Sequence, residues 1–230
     1  MLKIDELRVT GWDAALRGMR NPKNSWDRSD TVWGEFSGSE EDGDACVTLY
    51  ETPVIGENDL KLASTLADAG QVHGKFLRMI VVTMDITAPL YWWKEFDTYK
   101  VGTVANSCST MHKIHAKPFE RADFSHDHLT QYNWGWLDQT IDRLNHERDK
   151  FNLSEGKDKE AWWQMIQMLP SSYNQKRTVM LNYAVLKYIY EYRRAHKVSE
   201  WHDFCDMIEF LPYAKELIIG RKRDAEKSVQ

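Results

Sequence analysis

The sequence predicts an α/β protein, because strand-like and helix-like patterns both occur and the later half of the chain is helical. A run of β-branched and apolar residues at Leu77–Ile86 (LRMIVVTMDI) is short enough to be a buried strand. From Leu129 onward, apolar residues recur at helical spacing over several segments. The 230 residues can bury one sizeable core, so we expect a single domain over residues 1–220 and a disordered tail over residues 221–230.

The N-terminal part alternates between strand and helix patterns. Polar and apolar residues alternate at its start, whereas the later apolar residues follow helical spacing and stop at Gly70. The predicted elements are a strand at Leu2–Thr10, a helix over WDAALRGMR, a break at Asn21–Trp26, a solvated loop at Ser37–Gly43, a short strand at Cys46–Tyr50 and a helix over Glu57–Ala69.

The segment from His73 to His112 combines several chemistries in a short length. Ala88-Pro89 ends the predicted strand, and LYWWKEF then predicts a helix that would carry Glu95 into whatever cavity lies beside it. Small hydroxylated residues dominate Gly102–Thr110 and could offer N–H groups and hydroxyls to an anionic ligand. Without further context, an ordinary polar loop with a capping Ser or Thr is the favoured interpretation of this run.

Helical spacing continues through the rest of the chain. We expect helices over Leu129–Phe151, Glu160–Leu169 and Thr178–His196, and a final helix or helix pair over Trp201–Ile219 broken at Pro212. In the third of these, Asn182, Leu186, Ile189 and Arg193 share one face. A buried arginine on that face needs a partner.

Composition excludes several classes of protein. A net charge of -5 gives no basic footprint, so we expect neither nucleic acid nor a membrane surface as a partner. The three cysteines are odd in number and widely spaced, and no signal peptide or spanning segment is indicated, so we expect a cytoplasmic protein with reduced thiols. Ten Trp and ten Tyr are many for this length and are typical of ligand pockets or subunit interfaces.

Two other chemistries have weaker patterns. His112, His115, His126 and His128 lack the spacing of a catalytic zinc motif, so exposed loop histidines are the better interpretation and no metal is predicted. Cys108 has no base that the sequence assigns to it, so an inert thiol is favoured over a nucleophile. No P-loop, GxGxxG or GxSxG motif occurs in the sequence.

The central segment resembles a known family. His73, the strand, APLYWWKEF and DTYKVGTVANSCS are similar in order and spacing to the core of the flavin-dependent thymidylate synthases, the ThyX family. There, a helix leads into Arg-His-Arg, a seven-residue spacer and a Ser. Downstream, Leu169-Pro170, Asn182, Leu186 and Arg193 keep that family's spacing, so the resemblance spans roughly Asp59 to Ile219.

The signature positions differ from the family's pattern. Thr98, Tyr99 and Lys100 stand in place of Arg-His-Arg. The closing Ser corresponds to Cys108, or to Ser109 if the loop is one residue longer. The second alignment also places Asn106 on the family's Asn and Ser107 on its acidic position, while Met111 and Ile166 stand where the family has phosphate-binding arginines.

The resemblance implies a fold and a set of roles. The fold would have a central mixed or antiparallel sheet flanked by long helices, with active sites between the subunits of a homotetramer. Arg193 would contact the uracil ring as the catalytic residue, and Glu95, Asn106, Ser107 and Ser109 would bind the nucleotide. The flavin positions would be His73, Thr98, Tyr99, Lys100, Asn182 and Lys197.

The implied activity is the reductive methylation of a pyrimidine deoxynucleotide, dUMP to dTMP. It would use FAD as cofactor, with methylenetetrahydrofolate and NADPH as co-substrates. Two alternatives stay open: a fold-retaining nucleotide-binding or assembly protein without this activity, and a flavoenzyme that acts on a different pyrimidine nucleotide.

Overall fold

A computed structural model describes residues 2–33 and 52–220. The expected loop at Ser37–Gly43, the expected strand at Cys46–Tyr50 and the expected tail over residues 221–230 lie outside these residues. Within the two described ranges, no helix is both long and apolar enough to cross a membrane.

The chain folds as an α/β protein with a four-stranded antiparallel sheet in the order β1-β2-β4-β3. The strands are β1 (Lys3–Thr10), β2 (Val81–Pro89), β3 (Val104–Ser107) and β4 (Asn174–Asn182). The helices are α1 (Trp12–Arg20), α2 (Glu57–Asp68), α3 (Leu90–Phe96), α4 (Gln131–Leu153), α5 (Lys159–Met168), α6 (Tyr183–Arg193) and α7 (Glu200–Glu209). Short 3₁₀ turns occur at Asn21–Lys23, Trp26–Arg28, Gly74–Arg78 and Arg121–Asp123, and a π-helical turn at Lys215–Ile219.

Most of the predicted helices are confirmed. Helix α3 spans the predicted residues, and α1 coincides with WDAALRGMR. The predicted apolar stripe of α4 is buried at Leu137, Ile141 and Leu144. The final helical segment divides on either side of Pro212 into α7 and the π-helical turn, as expected.

The helix predicted over Thr178–His196 is wrong at its start. Residues 178–182 belong to β4, and the helix begins only at Tyr183. Val179 and Leu181 are buried on one face of the strand, as its period of 2 requires. The segment therefore fits a strand pattern as well as the helical spacing from which a helix was predicted. Asn182 therefore ends a strand and caps α6, and does not lie on the helical face predicted for it.

Two further boundaries differ from the expectation. Leu77 and Arg78, predicted as the start of a strand, lie in the 3₁₀ turn Gly74–Arg78, and β2 begins at Val81. Part of the expected polar loop Gly102–Thr110 is the edge strand β3, whose residues are all exposed. An exposed edge strand has no buried face, so its sequence carries no alternation.

The described residues divide into two compact units. The first contains Thr87–Asp97 and Asn106–Arg177. Its core lies between α4, α5 and the loop that precedes α4, with the buried residues Ile114, Phe119, Phe124, Leu137, Ile141, Leu144 and Met165. In α3, Trp92, Trp93 and Phe96 are buried and in mutual ring contact.

The second unit includes α1, α2, α6, α7 and the segment Thr98–Ala105. Helix α6 contacts the turn Gly74–Arg78, α7 and the π-helical turn, which bury Leu186 and Ile189 completely. Trp12, 1 % exposed, meets the rings of Tyr183 and Tyr213 edge-on at 5.4 and 5.6 Å. This packing fixes the helix that carries Arg193.

A buried ion pair ties three segments of the second unit together. Arg20 Nε donates to Asp59 Oδ1 at 2.6 Å, and the side chains are 5 % and 0 % exposed. The other oxygen of Asp59 accepts from the hydroxyls of Ser29 and Thr31 and from the backbone N–H groups of Asp30 and Thr31. Burial alone would raise the pKa of Asp59, but the Ser29, Thr31 and Arg20 hydrogen bonds and the Arg20 charge lower it below its usual value.

Candidate functional site

An open cleft of about 430 Å³ in the second unit contains the residue predicted to be catalytic. It is lined by Thr98, Tyr99, Tyr188, Tyr192 and Arg193, and we call it the arginine–tyrosine cleft. The structure therefore brings Thr98 and Tyr99, from the signature position, to Arg193 at the end of α6.

Arg193 is half-buried and held by two aromatic side chains. Its Nε donates to the Tyr99 hydroxyl at 2.7 Å. The guanidinium carbon lies 4.8 Å from the ring centre of Trp201, a distance at which the face of the ring attracts a cation. Tyr99 is thus a partner of the kind that the sequence required for this arginine, and it stands where the resemblance predicts a flavin contact.

Tyr188 and Tyr192 form the exposed wall of the cleft. They lie one turn apart on α6, with ring centres 4.6 Å apart, and are 47 % and 60 % exposed. Exposed aromatic faces can stack against a planar heterocycle, a contact worth roughly 1–3 kcal/mol per base. The i,i+4 spacing in YIYEYR places both tyrosines on one helical face, but it does not indicate that this face borders Arg193, and neither tyrosine was predicted as a site residue.

Asn182 acts as the N-cap of α6. Its Oδ1 accepts from the backbone N–H of Val185 at 3.1 Å. Its Nδ2 faces the loop that follows Lys100, because a Cβ placed on Gly102 would lie 2.9 Å from that atom. Gly102 has a φ of +82°, so a side chain there would be strained as well as crowded. Lys100 itself is exposed.

Two predicted flavin residues lie on the surface outside this cleft. His73 is exposed and precedes the turn Gly74–Arg78, while Lys197 is exposed in the turn between α6 and α7. Like Lys100 and Asn182, they do not line the arginine–tyrosine cleft. Their predicted roles as flavin contacts stay predictions.

The predicted nucleotide residues belong to the first unit. Glu95 is half-buried on α3, while Asn106 and Ser107 are exposed in β3. The Ser109 hydroxyl accepts from the backbone N–H groups of Met111 and His112 at 3.1 and 2.9 Å, so this serine closes a turn.

Ser109 also lines a second cleft, of about 250 Å³, which lies within the first unit. Its polar residues include Lys117, Asp123 and Tyr173, which the sequence analysis did not single out. Lys117 donates to Asp123, and this hydrogen bond and the Asp123 charge raise the pKa of Lys117 despite burial. Burial in turn raises the pKa of Tyr173.

Of the histidines predicted to be exposed, His112 and His128 are exposed, whereas His115 and His126 are half-buried. His115 lies against the ring of Phe151 at 4.8 Å, and His126 against that of Trp134 at 4.7 Å. Residues 2–33 and 52–220 contain no group of three His, Cys, Asp or Glu side chains placed to hold a metal. Cys108 is a free, exposed thiol that lines the second cleft.

The fold and the cleft define a class: an α/β protein with a small antiparallel sheet, in which an arginine at a helix end lies among aromatic rings. Solved structures of this fold include a crystal structure of flavin-dependent thymidylate synthase ThyX from Helicobacter pylori complexed with FAD and dUMP. It matches with a TM-score of 0.63 and 15 % identity, over 94 % of this chain and 97 % of that chain.

A second crystal structure of Helicobacter pylori ThyX with FAD and dUMP, at 2.31 Å resolution, gives the same TM-score of 0.63. Here the identity is 16 %, over 95 % of this chain and 97 % of that chain. No protein-family model and no curated protein sequence matches the chain. The likeness establishes that this chain has the ThyX fold.

Proposed function

We propose that this chain is a flavoprotein that converts a pyrimidine deoxynucleotide by reductive methylation, dUMP to dTMP. Methylenetetrahydrofolate and NADPH would be its co-substrates. The observation that carries the proposal is Arg193, half-buried among aromatic rings in a chain whose structural neighbours are complexed with FAD and dUMP.

Arg193 suits the role of the residue that contacts the pyrimidine ring. A guanidinium is charged at every working pH and donates from a plane, so it can stabilise negative charge that develops on a ring carbonyl. Trp201 is fully buried beneath it and keeps water from that side, which strengthens the interaction. Tyr188 and Tyr192 supply faces on which a planar heterocycle can stack.

The residues of the arginine–tyrosine cleft also fit a flavin. Its open, tyrosine-walled shape accepts a planar ring system, and Thr98 adds a hydroxyl at its edge. In this proposal Thr98, Tyr99, Lys100 and Asn182 hold the flavin, with His73 and Lys197 as outer contacts. Bound FAD would supply the redox chemistry of the reaction.

Glu95, Asn106, Ser107 and Ser109 are the proposed nucleotide contacts. The exposure of Asn106 and Ser107 leaves their side chains accessible to a ligand or to another subunit. We propose that the protein is a homotetramer whose active sites lie between subunits.

The activity is tested by tritium release from C5-labelled dUMP in the presence of methylenetetrahydrofolate, NADPH and FAD. Wild-type protein should release tritium, and Arg193→Ala should lower the rate by about 10²–10³-fold, the usual effect of removing an electrostatic stabiliser. Arg193→Lys is the matched control, because it keeps the charge and loses the planar donor.

Arg193→Lys should fall between the wild type and Arg193→Ala. Retained turnover in Arg193→Ala would show that its assigned role is wrong. Absence of tritium release from wild-type protein, together with turnover of dCMP, would move the proposal to a different pyrimidine nucleotide.

A further inference from the structure

We infer that Tyr99 is a positioning residue for Arg193, a role that rests on the proposed function of the cleft. The resemblance assigns Tyr99 to the flavin. The structure instead directs its hydroxyl to the Nε of Arg193, 94 positions away in sequence, at 2.7 Å.

Tyr99 is itself firmly placed. It is 9 % exposed, and its ring meets those of Tyr188 and Trp201 edge-on at 5.9 and 6.0 Å. Such edge contacts fix the ring plane and hence the position of the hydroxyl oxygen. A fixed acceptor can orient a flexible donor, whereas the long side chain of Arg193 has no comparable rigidity of its own.

Contacts with Trp201 and Tyr99 then orient the plane of the guanidinium. Trp201, fully buried, lies 4.8 Å from the guanidinium carbon, and Tyr99 holds Nε. Nε carries a single hydrogen, and that hydrogen is donated to Tyr99. A hydrogen bond from Arg193 to a ligand therefore comes from its terminal Nη atoms.

This geometry has a consequence for recognition. With its Nε side turned to Tyr99, Arg193 would meet the nucleotide end-on through Nη, in the orientation that the tyrosine hydroxyl fixes. Removing that hydroxyl while keeping the ring should let the guanidinium rotate and so weaken nucleotide binding. Flavin affinity should change little, because Tyr99 then contributes its ring and not its hydroxyl to the cleft.

The test is a double-mutant cycle with Tyr99→Phe, Arg193→Ala and the double variant, measuring dUMP affinity by calorimetry in saturating FAD. Tyr99→Phe should weaken dUMP binding about tenfold, the effect of losing one hydrogen bond to a charged group. The double variant should bind no more weakly than Arg193→Ala, because the hydroxyl acts through the arginine. Tyr132→Phe, which removes a hydroxyl from a residue 78 % exposed on α4, is the control and should behave as wild type.

A ligand-free readout separates this inference from the proposed function. The Nε–Hε signal of Arg193 in ¹⁵N spectra, assigned by its loss in Arg193→Ala, should be protected from exchange in wild type and Tyr132→Phe and exchange-broadened in Tyr99→Phe. If wild-type protein binds neither dUMP nor FAD, the proposed function fails while this signal still decides the inference. The inference would be overturned by an equally protected Nε–Hε signal in Tyr99→Phe or by additive losses of dUMP affinity in the double-mutant cycle. It would also be overturned if Tyr99→Phe lost as much FAD affinity as dUMP affinity.

Discussion

Replacing Asp59 by Ala tests the buried ion pair that ties α1 and α2 to the segment between them. The substitution leaves Arg20 charged at 5 % exposure, with its Nε donor unpaired. It also removes the acceptor of the hydroxyls of Ser29 and Thr31, each 2.6 Å from Asp59 Oδ2. Breaking a buried pair on one side costs about 3–5 kcal/mol, and we expect Asp59→Ala to lose stability in that range at pH 7.

The assay is urea unfolding followed by tryptophan fluorescence, with Asp68→Ala as the control on the same helix. Asp68 lies 3.5 Å from Lys187 in a partly exposed pair, so its loss should cost less than about 1 kcal/mol. Replacing both Arg20 and Asp59, by Met and Leu, should cost less than Asp59→Ala alone, because no charge is then left buried without its partner. A double variant that is less stable than Asp59→Ala would show that the unpaired charge of Arg20 is not what makes the single substitution costly.

The same carboxylate predicts an acid transition. Because the pKa of Asp59 is lower in the folded than in the unfolded chain, its contribution to stability is present above the unfolded pKa, about 3.9. That contribution is lost as the pH falls through the lower folded pKa. The wild type should therefore lose stability more steeply than Asp59→Asn below about pH 4. Equal slopes would show that Asp59 is not held in its charged form by these partners.

Two further predictions concern α6. Asn182→Ala should lower the free energy of unfolding by about 1 kcal/mol, because it removes the cap on the backbone N–H of Val185. Asp158→Ala, which removes the cap at the start of α5, should cost about the same. If only Asp158→Ala loses stability in the absence of ligand, the capping role of Asn182 is contradicted. Burial, with the hydrogen bond to Glu209, raises the pKa of Tyr190 to about 12. The stability that the neutral phenol contributes is thus complete below pH 10 and is lost as the pH rises toward 12. Urea unfolding measured over that pH range should therefore show that Tyr190→Phe loses less stability than the wild type. Identical pH dependences of the two proteins would contradict this prediction.

The sequence predicted the helices with one clear face and failed where tertiary pairing decides. Helix α3 was predictable because Pro89 precedes a short aromatic-rich run. The segment from Thr178 to Asn182 fits both a period of 2 and a period near 3.6, and its place in the sheet beside β2 makes it a strand. The strand propensity of these residues does not indicate which strand the segment pairs with.

The candidate site was predicted in part for a similar reason. The arginine on α6 was identified from its spacing and its need for a partner. That the partner is Tyr99 depends on a contact across 94 positions, which no local pattern encodes. The tyrosine wall was visible as a helical pair in the sequence, but only the fold shows that it borders Arg193 and not the core.

We propose that this chain, which has the ThyX fold, binds a flavin. The most direct measurement is the absorbance spectrum of the purified protein, followed by its melting temperature with added FAD and then with FAD and dUMP. We expect flavin absorbance, or a rise in melting temperature with FAD that increases further with dUMP, since ligands that bind only the folded state stabilise it. A colourless protein whose melting temperature is unchanged by either ligand would contradict it.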